Sequence, residues 1–193
     1  MFDWPTFLLF CITTTYTPGP NTILSMNYGR LLGFKKALPF VLGIFAGFAL
    51  IMVMVSFSMQ RLESLLPSIL FFLKILGVVY LLYLAWTTLR SRTDFSLSVE
   101  NKSLFSKAFF FQFLNPKVYL YGITAISGFI LPHYKEGGDL LFFAILLALI
   151  ALAGNLLWTS FGALFQKLFS KHEKIIRLIM ALLLIYSAYK ILF

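Results

Sequence analysis

Apolar residues run along this chain in six long blocks, with charge gathered in the gaps between them. The blocks span Trp4–Leu31, Leu38–Met59, Leu65–Leu89, Ala108–Leu131, Leu140–Gln166 and Ile175–Leu192. A hydrocarbon layer of about 30 Å takes about 20 helical residues, so each block can cross one with some tilt. The second and fifth blocks contain no charged residue. Lipid offers exposed backbone groups no partner, so each crossing segment must satisfy its own, which predicts an all-α membrane protein of six transmembrane helices. The connections are short except Arg90–Lys107, which holds Ser, Thr, Asn and charges. No soluble domain fits in any of them, so residues 1–193 read as a single transmembrane domain. Met1–Trp4 brings no basic segment, and no small-residue cleavage site closes the first block, so that block is expected to be a retained span.

Composition sharpens this reading. Of 193 residues 60% are apolar and only 12% charged, with a mean hydropathy of +0.90, whereas soluble domains carry about a quarter charged residues. The net charge of +9 could suggest nucleic acid, but the basic residues sit at block ends and form no stripe with interleaved aromatics, so no nucleic-acid partner is expected. They are unevenly divided between the two sides. The first, third and fifth connections hold Arg30, Lys35 and Lys36; Arg90, Arg92, Lys102 and Lys107; and Lys167, Lys171, Lys174 and Arg177. The opposite side holds Arg61, Lys74, Lys135 and Lys190. The positive-inside rule therefore puts the odd connections in the cytoplasm and both termini outside. Lys74 and Arg177 read as interfacial anchors and His133 as an outer-loop residue. The 23 phenylalanines read as lipid-facing bulk.

The third and sixth blocks align at an offset of 103, pairing Lys74 with Arg177, Tyr83 with Tyr186, Ala85 with Ala188, Trp86 with Tyr189 and Leu89 with Leu192. Upstream, Ser56-Phe57 matches Ser160-Phe161, and Gln60-Arg61-Leu62 matches Gln166-Lys167-Leu168. The first and fourth blocks each carry an Asn beside a Pro, Pro20-Asn21 and Asn115-Pro116. Together these matches suggest a 3 + 3 duplication with halves of about 1–97 and 98–193. Units with an odd number of spans must lie inverted to one another in the membrane.

Two places interrupt the apolar pattern with chemistry. Thr17-Pro18-Gly19-Pro20-Asn21 lies mid-block. Each proline removes an amide donor and clashes with the preceding turn, so the first helix must break there. The freed groups must then face protein or a water-filled cavity. A half-helix starting at Pro20 presents free N–H groups and a positive dipole end, suited to a carboxylate; the bland alternative is a packing kink. Asn115-Pro116-Lys117 interrupts the fourth block, and Lys117 lies ten residues past Lys107, hence roughly 15 Å deep. An ammonium at that depth costs about 2.5–3.5 kcal/mol on insertion scales and is too far in to snorkel. It should face the bundle interior, holding an anionic group or existing as the neutral amine. Asn155 and Trp158 in the uncharged fifth block are further candidates, the Asn because an amide in lipid needs a partner. Gly43 and Gly47 form a small-xxx-small face that suggests close helix packing. Cys11 is the lone cysteine; it makes no disulfide or zinc site and reads as a small buried hydrophobe.

The seven acids, Asp3, Glu63, Asp94, Glu100, Glu136, Asp139 and Glu173, all avoid span interiors. Neither a metal cluster, a Ser/His/Asp set nor a phosphate loop is present in the sequence, so no enzyme, metal or cofactor is expected. A non-transporting accessory subunit is the rival reading, and two helix breaks with a buried lysine argue against it. The sequence leaves both a single copy and a homo-oligomer open.

Tyr16–Asn21, the Asn115-Pro116-Lys117 triplet and the six-span layout resemble the LysE/RhtB family of amino-acid exporters over essentially the whole chain. Gln112–Asn115, Leu120–Ala125, Gly154-Asn155 and Leu164–Phe169 look like its cysteine/O-acetylserine branch. The resemblance implies export of amino acids from the bacterial cytoplasm across the inner membrane, driven by an ion gradient. Some family members that export basic amino acids carry an acidic residue in the second span soon after the paired glycines. Here that stretch reads Gly47-Phe48-Ala49-Leu50, which favours a neutral zwitterion over lysine or arginine; exporters of homoserine, threonine or leucine remain alternatives. The substrate is expected between the broken spans, its carboxylate meeting the half-helix end at Pro20-Asn21-Thr22 and Lys117, with Asn21 and Asn115 supplying hydrogen bonds.

Overall fold

Pro18, Gly19 and Pro20 cut the first block in two. In the computed structural model, which describes residues 2–62, 66–90, 101–165 and 172–192, helix α1 (Trp4–Tyr16) ends there. Helix α2 (Pro20–Leu32) begins at the second proline, the one helical position where a missing N–H costs nothing. The Asp3 side chain caps α1 by accepting from the Thr6 amide at 3.2 Å, and the two Thr6 bonds to its carboxylate hold the Asp3 pKa below its usual value. Gly33, at φ +77°, makes the whole turn into α3 (Phe34–Leu62). A left-handed residue there costs glycine nothing. Next come α4 (Leu66–Arg90), α5 (Asn101–Phe113) and α6 (Pro116–Ala125), the latter capped by Asn115. A π-helical turn over Ile126–Ile130, α7 (Gly137–Leu164) and α8 (Glu173–Leu192) complete the chain. No strand occurs among the described residues. Two described helices carry a stretch long and apolar enough to cross a membrane, Phe34–Met59 and Gly137–Leu164; these overlap the two charge-free blocks.

Three boundaries differ from the sequence reading. Helix α5 starts at Asn101, inside the connection expected over Arg90–Lys107, because helical hydrogen bonding continues past the apolar stretch wherever the sequence has no breaker. Arg30, assigned above to the first connection, is buried near the end of α2 and donates to the Asn27 Oδ1 from Nε at 3.3 Å and Nη2 at 3.0 Å. The π turn was not expected; the Ser127 hydroxyl donates to the Ile123 carbonyl at 2.6 Å, and the Leu131 N–H reaches Ile126 O instead of the residue four back. The connections at 63–65, 91–100 and 166–171, and the side chains of Lys74 and Arg177, lie outside the described residues.

Helices α3 and α7 form the centre. Each packs on the other, α2 lies along α7, and α5 lies along α3. These contacts run backbone to backbone at small residues. A Cβ at Gly29 would collide with the Thr159 backbone, and one at Gly162 would fall on the Met26 carbonyl oxygen. Gly43 and Gly47 seat α3 against the Phe105 and Phe109 carbonyls of α5, the close packing that their spacing suggested. Helices α4 and α8 pair at one side and meet the rest through Ile23 and Met26 of α2. The expectation that phenylalanines face lipid holds for Phe72 and Phe110, 65% and 66% exposed, but Phe7, Phe40, Phe48, Phe111 and Phe143 are buried. In lipid apolarity no longer separates inside from outside, so ring shape decides: Phe7 and Phe143 stack into an aromatic cluster with Phe2, Trp4 and Tyr134. Cys11 is fully buried. His133 is exposed in the turn after Ile130, its ring edge against Phe2 at 5.6 Å.

Because the α2–α7 contact has no room for a methyl group, Gly162→Ala is expected to lower the thermal midpoint in detergent by about 3–10 °C, as overpacking of about 1–3 kcal/mol does. Gly128→Ala, where a Cβ meets open space, is the matched control and should leave it unchanged.

Candidate functional site

The two helix breaks lie against each other. Between Tyr16 and Pro20 the chain is extended, and Gly19 caps α2: its N–H donates to Thr22 Oγ1 at 2.9 Å, and that hydroxyl donates to the Gly19 carbonyl at 3.0 Å. The amides of Asn21 and Thr22, in the first turn, have no intrahelical partner by helix geometry. Across from them the Asn115 side chain caps α6 by accepting from the Lys117 amide at 3.2 Å. Two helix N-termini therefore converge, each carrying the partial positive charge of its dipole.

An amide ladder ties the breaks together. Asn21 Nδ2 donates to Gln112 Oε1 at 2.8 Å, and Gln112 Nε2 donates back to Asn21 Oδ1 at 3.2 Å. Asn115 Nδ2 adds a second bond to the same Asn21 oxygen at 3.1 Å, and Gln112 also reaches the Ala108 carbonyl at 3.0 Å. Gln112 is fully buried and Asn115 nearly so. One turn along α2, the Ser25 hydroxyl donates to Asn155 Oδ1 at 3.0 Å, while Asn155 Nδ2 donates to Ala151 O at 2.8 Å. These bonds give every amide in the set a partner, as burial demands.

Lys117 projects from the first turn of α6 into the first break. Its Nζ donates to the Thr17 carbonyl at 3.2 Å, and a Cβ on Gly19 would stand 2.8 Å from that nitrogen, so a larger residue there would displace the flexible end of the lysine. On the inner side of the Gly19–Lys117 contact lies a cavity of about 40 Å³. Its wall combines Asn21, Asn115, Asn155 and Lys117 with Thr14 and Thr15 from the end of α1 and with Phe48, Val118, Tyr121 and Ala151. On the other side is a larger groove of about 290 Å³, bounded by Thr17, Pro18, Pro20, Leu120, Tyr186 and Ser187, and again by Gly19 and Lys117. The lysine thus stands between the two spaces.

Of the residues singled out from sequence, Gly19, Asn21, Asn115, Lys117 and Asn155 line the inner cavity, whereas Thr17, Pro18 and Pro20 line the outer groove. Pro116 is buried as the first residue of α6. Trp158 lines neither space; its Nε1 donates to the Tyr16 carbonyl at 3.3 Å, which satisfies one of the carbonyls freed at the end of α1. The wall or support residues that were not singled out are Thr14, Thr15, Ser25, Phe48, Gln112, Val118, Tyr121 and Ala151. Two of them carried a signal in their spacing, since Ser25 is four residues past Asn21 and Tyr121 four past Lys117, the separation that puts side chains on one helix face. Among the described residues no group of His, Cys, Asp or Glu could hold a metal ion.

A helical bundle with two long apolar helices, and with broken helices meeting at a polar cavity that holds a lysine, suits a membrane transporter, and the chain's relatives assign it to that class and not to the enzymes. It belongs to the LysE-type translocator family, whose model matches residues 12–193. The chain is similar to the cysteine/O-acetylserine efflux protein of Salmonella typhimurium (strain LT2), 34% identical over 190 residues covering 97% of this chain and 96% of that protein. It is likewise similar to the cysteine/O-acetylserine efflux protein of Escherichia coli (strain K12), 33% identical over 190 residues with the same shares covered. No solved structure matches the chain.

Deleting the central amide should expose the strength of the ladder. Asn21→Leu leaves Gln112 and Asn115 without their shared partner, and an unsatisfied buried polar group costs about 1–3 kcal/mol. The expected result is a thermal midpoint several degrees below that of the unmodified protein in detergent.

Proposed function

We propose that this protein exports small neutral amino acids of the cysteine and O-acetylserine type from the bacterial cytoplasm across the inner membrane, exchanging them for protons. The observation that carries this reading is the meeting of Lys117 with two helix N-termini at one polar cavity. A zwitterion needs both signs of charge. The amide ends of α2 and α6 and the Lys117 ammonium offer positive charge to its carboxylate. The C-terminal end of α1, with Thr14 and Thr15 on the cavity wall, offers the negative dipole end and backbone carbonyls to its ammonium. Asn21, Asn115 and Asn155 supply directional hydrogen bonds. No acidic residue stands on the cavity wall, which suits a neutral amino acid better than a basic one. The substrates for which the relatives are named agree.

A cavity of about 40 Å³ has room for a few waters, at about 10–15 Å³ each. It must therefore widen to admit an amino acid. Gly19 and Lys117 line both the cavity and the groove, so opening their contact would connect the two. Lys117 is the one basic group on the cavity wall, and it is our assignment for the group that holds the substrate carboxylate.

The proposed membrane arrangement has six spans, the first made of α1 with α2 and the fourth of α5 with α6, and both termini outside. Its halves, about 1–97 and 98–193, would be inverted repeats of one transporter domain. The packing supports this. The first span lies on the fifth as the fourth lies on the second, the sixth touches the first as the third touches the fourth, and the third pairs with the sixth. Rocking of one half on the other would alternate access to the central cavity.

In cells overproducing the protein, Lys117→Met is expected to abolish efflux of cysteine and O-acetylserine while the variant accumulates normally in the membrane fraction; unchanged efflux would remove the lysine from the mechanism. For the coupling ion, a protonophore is expected to stop efflux against a substrate gradient from proteoliposomes holding an imposed proton gradient, and uphill efflux that persists would exclude proton exchange.

A further inference from the structure

Two buried side-chain polar atoms among the described residues have no hydrogen-bond partner, Ser56 Oγ and the Tyr121 hydroxyl oxygen, and of these two residues Tyr121 alone lines the inner cavity. Tyr121 is 4% exposed, lines the inner cavity, and its hydroxyl makes no hydrogen bond. Cys11 and Thr15 of α1 lie alongside it, neither in hydrogen-bonding geometry. Leaving a buried phenol hydroxyl unpaired costs free energy that a phenylalanine would not incur. The ring is fixed: Phe10 stacks on it at 5.8 Å with planes 8° apart, and Phe48 packs on it at 5.7 Å. The hydroxyl therefore points in a set direction and is not free to swing toward another acceptor.

Its place on α6 gives it a meaning. Tyr121 follows Lys117 by four residues, so the two share a helix face with a rise of about 6 Å between them. That separation suits an amino acid whose carboxylate lies at Lys117 and whose short side chain extends along α6. We propose that Tyr121 is a specificity-determining residue, whose hydroxyl donates to a polar atom on the substrate's side chain, such as an ester carbonyl or a thiol sulfur. This rests on the transport reading above. A site built to hydrogen-bond a side-chain group rejects analogues lacking that group, because its own polar atom is then left unpaired.

The test uses the full-length protein in proteoliposomes loaded with O-acetylserine or with norleucine, a near-isostere without the ester carbonyl, and with cysteine or 2-aminobutyrate as the second such pair. Unmodified protein is expected to prefer the polar member of each pair. Tyr121→Phe is expected to reduce that preference by about tenfold for O-acetylserine, the worth of one hydrogen bond of about 1.4 kcal/mol, and less for the weakly bonding thiol. It should leave norleucine transport and the thermal midpoint unchanged or raised, since it removes an unpartnered oxygen. Equal loss for all four amino acids, no change in preference, or a lowered midpoint would each overturn the assignment and make the hydroxyl a structural group. If unmodified protein moves none of the four, the transport reading fails and the assignment falls with it; if it moves them without the shift in the variant, only the Tyr121 assignment falls.

Discussion

Breaking a helix inside lipid exposes backbone groups that water cannot reach, and the architecture of this protein follows from where those groups go. Two breaks lie side by side, so that each serves the other. Asn115 caps α6, Thr22 caps α2, and the Asn21–Gln112–Asn115 ladder locks the two interruptions at one level. Trp158 closes one of the carbonyls left at the end of α1. What stays open after this pairing is a small cavity whose wall carries the remaining amides and carbonyls together with one ammonium.

The helices around the breaks serve to hold them in register. Glycines at 29, 43, 47 and 162 bring α2 onto α7 and α3 onto α5 at backbone distance. In lipid no hydrophobic force drives helices together, and close van der Waals fit must do so. Gly77 does the same for α4, which sits on Pro116 at the second break. The four-helix centre and the peripheral α4–α8 pair thus meet beside the site, the place where relative motion would change access.

Lys117 gains its role from this setting. Its depth in the sequence suggested that it should turn inward, and in the structure it turns toward the first break to donate to the Thr17 carbonyl. Gly19 makes that approach possible by having no side chain. A cation resting on an extended, proline-flanked loop between an inner cavity and an outer groove suits a group that exchanges a protein partner for a substrate carboxylate. The Tyr121 hydroxyl, one turn further along the same helix, extends this logic from the part common to all amino acids to the part that distinguishes them.

The apolar blocks, the helix breaks at Pro18-Gly19-Pro20 and Asn115-Pro116, and the close-packing faces at Gly43 and Gly47 were determined by local sequence, because proline chemistry, helix length and glycine spacing act within a few residues. Lys117, Asn21, Asn115 and Asn155 could be chosen for the same reason: a polar group in an apolar run must find a partner. Which partner it finds was decided only by the tertiary structure. The reciprocal Asn21–Gln112 bond joins residues 91 apart, and Ser25 and Asn155 are 130 apart; no periodicity encodes such pairings. The same holds for the phenylalanines that turn inward and for the buried Arg30. In a chain that is apolar on every side, composition does not tell the core from the lipid face, and packing alone assigns them.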